Sequence, residues 1–185
     1  MENPVRVDFM PIHRNLAAIA GAIDRLTAAV GRAVMGCALA MVIVQVTVVL
    51  MRYVLGVGSI WLAEAIIYAH ATLFMGAAAW TLQQGAHVRV DIFYGGASPR
   101  TRAIVDLLGA ALLLLPFMAV LAVVSFPYVA RSWAIFERSR ESSGLPLVFL
   151  LKTLIPVFAI LLGLQGIAQA IRAWLVLAGA PAPGR

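Results

Sequence analysis

Charged side chains that interrupt long apolar segments are the first residues in this sequence that could do chemistry. Glu64 lies about one turn into an apolar segment, and Arg52 ends the segment before it, across a short turn with Gly56 and Gly58. A charged group at the centre of a membrane costs about 2.5–3.5 kcal/mol on insertion scales. We therefore expect Glu64 and Arg52 to pair at the outer end of a helical hairpin. Contact of the two side chains with a partner protein or a substrate is the alternative.

A histidine near the middle of an apolar segment raises the question of a cofactor. Two stacked histidine ligands would suggest haem, but only His70 lies within such a segment, whereas His13 and His87 lie outside at other depths. The single cysteine, Cys37, excludes an intrachain disulfide, and no Cys/His spacing is typical of zinc. We expect no catalytic residue, no cofactor and no metal. Buried glutamines should form interhelical hydrogen bonds: Gln45, Gln165 and Gln169.

A polar stretch, QQGAHVRVD at residues 83–91, follows the second apolar segment. In it His87, Arg89 and Asp91 alternate with valines, which is the pattern of a short strand, but nothing nearby could pair with such a strand. We interpret the stretch as a loop whose valines touch the membrane surface or a partner. It is thus a candidate docking corner, and a solvated connector is the alternative.

The composition places these residues in a membrane protein. The chain has 185 residues, of which 63% are hydrophobic and 12% are charged, and its mean hydropathy is +0.96. A soluble domain is usually about half apolar and about a quarter charged, so this chain lacks the polar surface to cover a globule. The net charge of +6 does not indicate nucleic acid, because the Lys and Arg residues flank apolar segments.

Four segments are long enough to span a bilayer. About 20 residues of helix cross a hydrocarbon core of about 30 Å, and backbone amides in lipid must bond internally, so each segment should be a helix. The predicted fold is all-α, with a four-helix membrane domain at residues 33–177. Its spans cover about 33–52, 60–82, 103–130 and 150–172. Ser98 and Pro99 suit the cap and the first position of the third helix.

The N-terminal segment, residues 1–32, contains an amphipathic pattern. Apolar residues recur at three- and four-residue steps: Leu16, Ile19, Ile23, Leu26 and Val30. This pattern predicts a helix that lies on membrane lipids at the inner interface, or alternatively one that packs against a partner subunit. Residues 178–185 should form a short tail.

Charge distribution predicts the orientation and, with the packing residues, a class of function. If the N-terminus is inside, nine Lys and Arg residues lie inside and five outside, so both termini should be cytoplasmic. Small residues recur at four-residue spacing, as at Gly166 and Ala170, which lets helices approach closely. Few charges lie within the spans, although ion-coupled carriers usually bury several. These features indicate an accessory or scaffolding subunit.

Several motifs, in this order and spacing, resemble the small membrane subunit of TRAP (tripartite ATP-independent periplasmic) transporters. The matching stretches are RYV at 52–54, SIWLAE at 59–64, GAA at 76–78, GAHVRVD at 85–91 and ESSGLP at 141–146. The resemblance covers roughly residues 30–170. The family usually has two acids after the tryptophan, Trp61 here, and often an arginine one turn later. This chain has Ala63 at the first acid position, Glu64 at the second, and Ile67 in place of the arginine.

The resemblance implies a three-part importer in the bacterial inner membrane. A periplasmic binding protein would capture a solute, often an organic acid, and a large multi-span permease subunit would move it with a sodium gradient. The small subunit would brace the large one and carry no catalysis. Residues of the outer hairpin and loops become structural or interface candidates: Arg52, Trp61, Glu64, His87, Arg89, Asp91, Glu141 and Pro146. The alternatives are an electron-transfer or enzymatic membrane subunit and a stand-alone small transporter.

Overall fold

The described part of the chain, residues 10–86 and 96–179 of a computed structural model, consists of helices and short connections, with no strand. We number the α-helices in chain order. They are α1 (Met10–Val34), α2 (Gly36–Val54), α3 (Ile60–Gln83), α4 (Pro99–Leu108), α5 (Leu115–Ala134) and α6 (Val148–Leu177). A π-helical segment, Gly109–Leu114, joins α4 to α5. Only Met35, itself in a helical conformation, separates α1 from α2.

Four helical runs are long and apolar enough to cross a membrane. They are Ile12–Val54, Ile60–Gln83, Pro99–Ala134 and Val148–Leu177. This result confirms the predicted all-α, four-span integral membrane fold. The third run begins as the sequence indicates, because the Ser98 hydroxyl accepts a hydrogen bond from the Thr101 amide at 3.2 Å and Pro99 occupies the first turn.

The bundle has two ends, which we call the turn end and the tail end. The turn end contains the α2–α3 turn, residues 55–59, and the α5–α6 loop, residues 135–147. The tail end lies opposite and contains the last turns of α3 and α6 together with the start of α4. The chain crosses between these ends four times.

Helix α6 is the centre of the bundle. It contacts α1, α3, α4 and α5, and it carries more of the buried apolar side chains than any other element of the described chain. Its small residues allow close contact: a Cβ added at Gly166 would lie 2.8 Å from Leu114 Cδ2. In a membrane the hydrophobic effect does not drive helices together, because lipid tails are as apolar as the side chains. Close packing of this kind is therefore a main source of helix association.

The π-helical segment has a cause in the sequence. Pro116 lacks an amide hydrogen, and its ring would collide with the carbonyl of the residue four positions earlier in a regular α-helix. The preceding turn widens instead, and the Leu115 amide donates to the carbonyl of Ala110, five residues back. The third span therefore continues through its proline as one long run.

Helix α1 packs on α3 and α6 of its own chain, an arrangement that neither sequence interpretation included. The most buried residues of α1 lie beside the predicted apolar stripe: Ala20 and Thr27 are 2% and 1% exposed. Of the stripe itself, Val30 packs against the core, whereas Ile19 and Leu26 remain about half exposed. Close approach explains the difference, since a Cβ at Gly31 would lie only 2.6 Å from Trp80 Cβ. Small residues, rather than the bulky stripe, determine which face of α1 contacts the bundle.

Helix α2 lies at the edge of the bundle. It has no buried residue, and among the described elements it packs on α3 with a small contact to α1. The half-buried positions fall on one helical face: Cys37, Met41, Val44, Val48 and Met51. The rest of α2 is exposed and, apart from Gln45, Thr47 and Arg52, apolar.

Candidate functional site

The Glu64 carboxylate organises the loop at the turn end. Its Oε2 accepts a hydrogen bond from the Leu145 amide at 2.6 Å, and its Oε1 accepts one from the Ser139 hydroxyl. The Ser139 oxygen in turn accepts the Glu141 amide at 3.2 Å, and the Ser139 amide donates to the Leu145 carbonyl. One acid on α3 thus fixes a loop that lies about 75–81 residues away in sequence.

Local sequence features prepare this arrangement. The Ser59 hydroxyl accepts the Leu62 amide at 3.3 Å and starts α3 just before Glu64. Gly144 lets the loop backbone approach the acid, because a Cβ at this position would lie 2.7 Å from Glu64 Oε1. Leu145 beside it is 7% exposed, so its side chain anchors the loop while its amide bonds the carboxylate.

The prediction of an ion pair between Arg52 and Glu64 is wrong. No salt bridge joins the two residues, both of which lie in the described part of the chain. Met51 belongs to the α2 face that packs inward, and Arg52 is turned about 100° away from it into an exposed position. Trp61 is 51% exposed at the first turn of α3 and likewise does not join Glu64. The three turn-end candidates therefore do not form one cluster.

A second contact set holds the two ends of the same loop together. Lys152 Nζ at the start of α6 lies 2.5 Å from Glu137 Oε2 and 4.1 Å from the centre of the Tyr128 ring. The Trp133 indole nitrogen donates to Thr153 Oγ1 at 2.8 Å. The hydrogen bond from Lys152 lowers the pKa of Glu137 below its ordinary value of 4.5. Sequence reasoning missed this set, although acid and lysine lie on either side of one loop.

The middle of the loop presents charge outward. Glu141 and Pro146, predicted from the sequence as interface candidates, are exposed. Arg138 and Arg140 are exposed beside them, and Arg131 is exposed near the end of α5. Glu64 and its partners therefore hold a polar, mostly cationic surface at the turn end.

A polar network at the tail end was also missed. Asp24 of α1 forms a salt bridge with Arg172 of α6 at 2.6 Å, and its other oxygen accepts Gln165 Nε2 at 3.0 Å. The Thr27 hydroxyl lies 3.0 Å from Gln165 Oε1. Gln165 is 0% exposed, so the predicted interhelical hydrogen bonds of this glutamine are confirmed. The sequence did contain a signal for this network. An acid, Asp24, lies in the amphipathic helix, and one arginine, Arg172, ends the last span.

Polar side chains of the spans that form no hydrogen bond with another described residue include Gln45, His70 and Gln169. Gln45 is exposed on α2 and forms no hydrogen bond with another described residue, so the expectation that it bonds a neighbouring helix is not met among residues 10–86 and 96–179. His70 is exposed on α3 and stacks on Phe74, with ring centroids 6.3 Å apart and planes 9° from parallel. Gln169, also expected to bond between helices, is half-buried and makes no such bond among the described residues.

The remaining candidates concern metals and the polar loop. Among residues 10–86 and 96–179, no group of three His, Cys, Asp or Glu side chains is placed to hold a metal ion. His87, Arg89 and Asp91, the proposed docking corner, lie outside the described residues.

Comparison with known proteins gives one family. A model described as "Tripartite ATP-independent periplasmic transporters, DctQ component" matches residues 41–176, which is well over half of the chain. The match includes the second and third spans, all but the last residue of the fourth, and the end of the first from residue 41 to Val54. No match was found among curated proteins or among solved structures. The matched range contains the Glu64 loop, and it excludes α1 with its Asp24 contact.

Proposed function

The chain belongs to the DctQ component family of the tripartite ATP-independent periplasmic transporters, and from this premise we propose that it braces the large permease subunit. The family match carries this proposal, since it identifies the chain as a small component of a transporter. In the proposed role, the large multi-span subunit moves a solute, an organic acid, with a sodium gradient. A periplasmic binding protein delivers that solute.

The internal contacts support a bracing role. A brace must keep its shape while its partner moves, and polar contacts join distant segments at both ends of this bundle. At the tail end Asp24 bonds Arg172 and Gln165, and at the turn end Glu64 bonds the α5–α6 loop. A membrane-embedded hydrogen bond contributes modestly, about 0.6–2 kcal/mol, so several such contacts are needed to hold the helices in one arrangement.

We further propose an orientation in the bacterial inner membrane with both termini in the cytoplasm. The support is the excess of Lys and Arg on the tail side, nine against five. The turn end then faces the periplasm and presents the exposed Arg138, Arg140 and Glu141 to the binding protein. The N-terminal helix lies at the cytoplasmic interface, with its exposed Ile19 and Leu26 toward lipid.

The loop that contains His87, Arg89 and Asp91 is proposed as a cytoplasmic docking corner for the large subunit. Its support is the family resemblance of residues 85–91. Substituting Asp91→Asn together with His87→Ala should lower recovery of the large subunit with this chain. Unchanged recovery would leave the loop as a solvated connector.

The experiment that tests the proposed function is co-purification. The chain, with an affinity tag on the exposed tail side, is co-expressed with the large permease subunit from the same source and purified in mild detergent. We expect both to elute as one species and expect solute uptake to stop when this chain is deleted. Separate elution, together with uptake that survives the deletion, would contradict the bracing role.

A further inference from the structure

Two exposed polar side chains share one depth in the middle of the bundle. Gln45 lies nine residues before the end of α2 at Val54, and His70 lies ten residues after the start of α3 at Ile60. At about 1.5 Å per residue, both are about 14–15 Å from the α2–α3 turn. That distance is half of a hydrocarbon core of about 30 Å.

Lipid is a poor environment for both groups. An imidazole and a primary amide each carry donors and acceptors that hydrocarbon cannot satisfy. A side chain near a helix end can extend to the interface, but one at the middle depth is too far from water. Neither group forms a hydrogen bond with any described residue, although both residues are in the described part of the chain.

Helical periodicity places the two groups on a shared surface. Apart from Trp61 in the first turn, the exposed positions of α3 form one stripe: Ile60, Ala63, Ile67, His70 and Phe74. The opposite sides of α3 are covered by α1 and α6, so α2 borders this stripe. Gln45 follows Val44, which packs inward, and therefore lies at the edge of the α2 contact face. We call the surface formed by Gln45, Ile67, His70 and Phe74 the hairpin surface.

The outward face of α5 offers a contrast at the same depth. Its exposed side chains there are apolar, including Val123, Val124 and Phe126. Lipid tails can cover such an apolar face without leaving a polar group unpaired. Unlike this α5 face, the hairpin surface contains hydrogen-bonding groups that lipid tails leave unsatisfied.

We propose that the hairpin surface seats a transmembrane helix of the large permease subunit. That helix would present a hydrogen-bonding side chain to His70 and Gln45 at mid-membrane depth. The inference rests on the proposed function and adds the location of the contact. A component of a multi-part transporter needs a heterologous contact within the membrane, and the large exposed area of α2 is continuous with this surface.

Site-specific photo-crosslinking tests the location. A photoreactive phenylalanine analogue replaces Ile67 or Phe74 in the co-expressed complex, and Val123 on α5 is the matched control with similar exposure. We expect Ile67 and Phe74 to give an adduct with the combined mass of this chain and the large subunit, and Val123 to give none. An adduct of twice the mass of this chain, lipid adducts alone, or equal capture from Val123 would overturn the proposal.

Substitution tests the hydrogen bonds. His70→Leu and Gln45→Leu should each weaken association with the large subunit about tenfold, as measured from the recovered fraction at a series of concentrations. Tyr68→Phe, which removes a polar group facing the inside of the bundle, is the control and should leave association unchanged. If the wild-type pair co-purifies but neither leucine variant weakens it, the hairpin surface is wrong and the bracing role stands. If the wild-type pair does not associate, both proposals fail.

Discussion

Replacing Glu64 with alanine should release the α5–α6 loop without unfolding the bundle. The carboxylate accepts two hydrogen bonds, from the Leu145 amide at 2.6 Å and from the Ser139 hydroxyl. A hydrogen bond to a charged group contributes about 1.5–3 kcal/mol, and partial exposure of Glu64 places each bond at or below the lower end of that range. Loss of both should lower the free energy of local loop opening by about 2–3 kcal/mol.

Hydrogen exchange measures this effect directly. The exchange rate of a peptide covering residues 139–147 should rise about 30- to 150-fold in the Glu64→Ala variant, since about 1.4 kcal/mol corresponds to a factor of ten. Glu64→Gln retains one acceptor oxygen and should give an intermediate rate. Arg52→Ala is the control, because Arg52 is exposed and has no contact with the acid. The reasoning is refuted if Glu64→Ala leaves the exchange of this peptide unchanged or if Arg52→Ala accelerates it equally.

Three further changes address other parts of the molecule. Gly31→Ala should lower the melting temperature in detergent, at a cost of about 1–3 kcal/mol, because its Cβ would lie 2.6 Å from a Trp80 atom, whereas Gly21→Ala meets nothing within 4 Å and should not. Asp24→Ala removes the salt-bridge partner of Arg172 on α6, which lies 2.6 Å away, and should weaken the attachment of α1. Faster proteolytic release of α1 is the expected result. The pKa of Glu137 is lowered by Lys152, so this bond stabilises the loop above pH 4.5 and is lost as pH falls through the lowered value. In acid, the hydrogen-exchange rate of the loop amides should therefore deviate from the pH dependence of unstructured amides. Glu137→Gln should abolish that deviation.

The sequence predicted the features that depend on composition and local spacing. Apolar length defined the four spans, because backbone groups in lipid require helices. Ser98 and Pro99 predicted the start of a helix from their own chemistry, and the structure contains that cap. Gln165 was recognised as an interhelical hydrogen-bonder because an amide within a span needs a partner.

The errors arose where partners are distant in sequence. Arg52 was the nearest cation to Glu64 along the chain, but the acid bonds an amide and a hydroxyl that lie 75–81 residues later. The packing of α1 on its own bundle was not predicted either, since periodicity gave only the stripe assigned to lipid or a partner, while Gly31 and Thr27 make the close approach to α3 and α6. Periodicity shows which residues share a face, but not which face another helix covers.

Reconstituted uptake tests the central claim most directly. Vesicles would contain the large permease subunit with or without this chain, and the binding protein, a solute and a sodium gradient would be supplied in both cases. We expect solute accumulation only when both membrane components are present, and none with this chain alone. Equal accumulation without this chain, or accumulation by this chain alone, would contradict its proposed role as the bracing subunit.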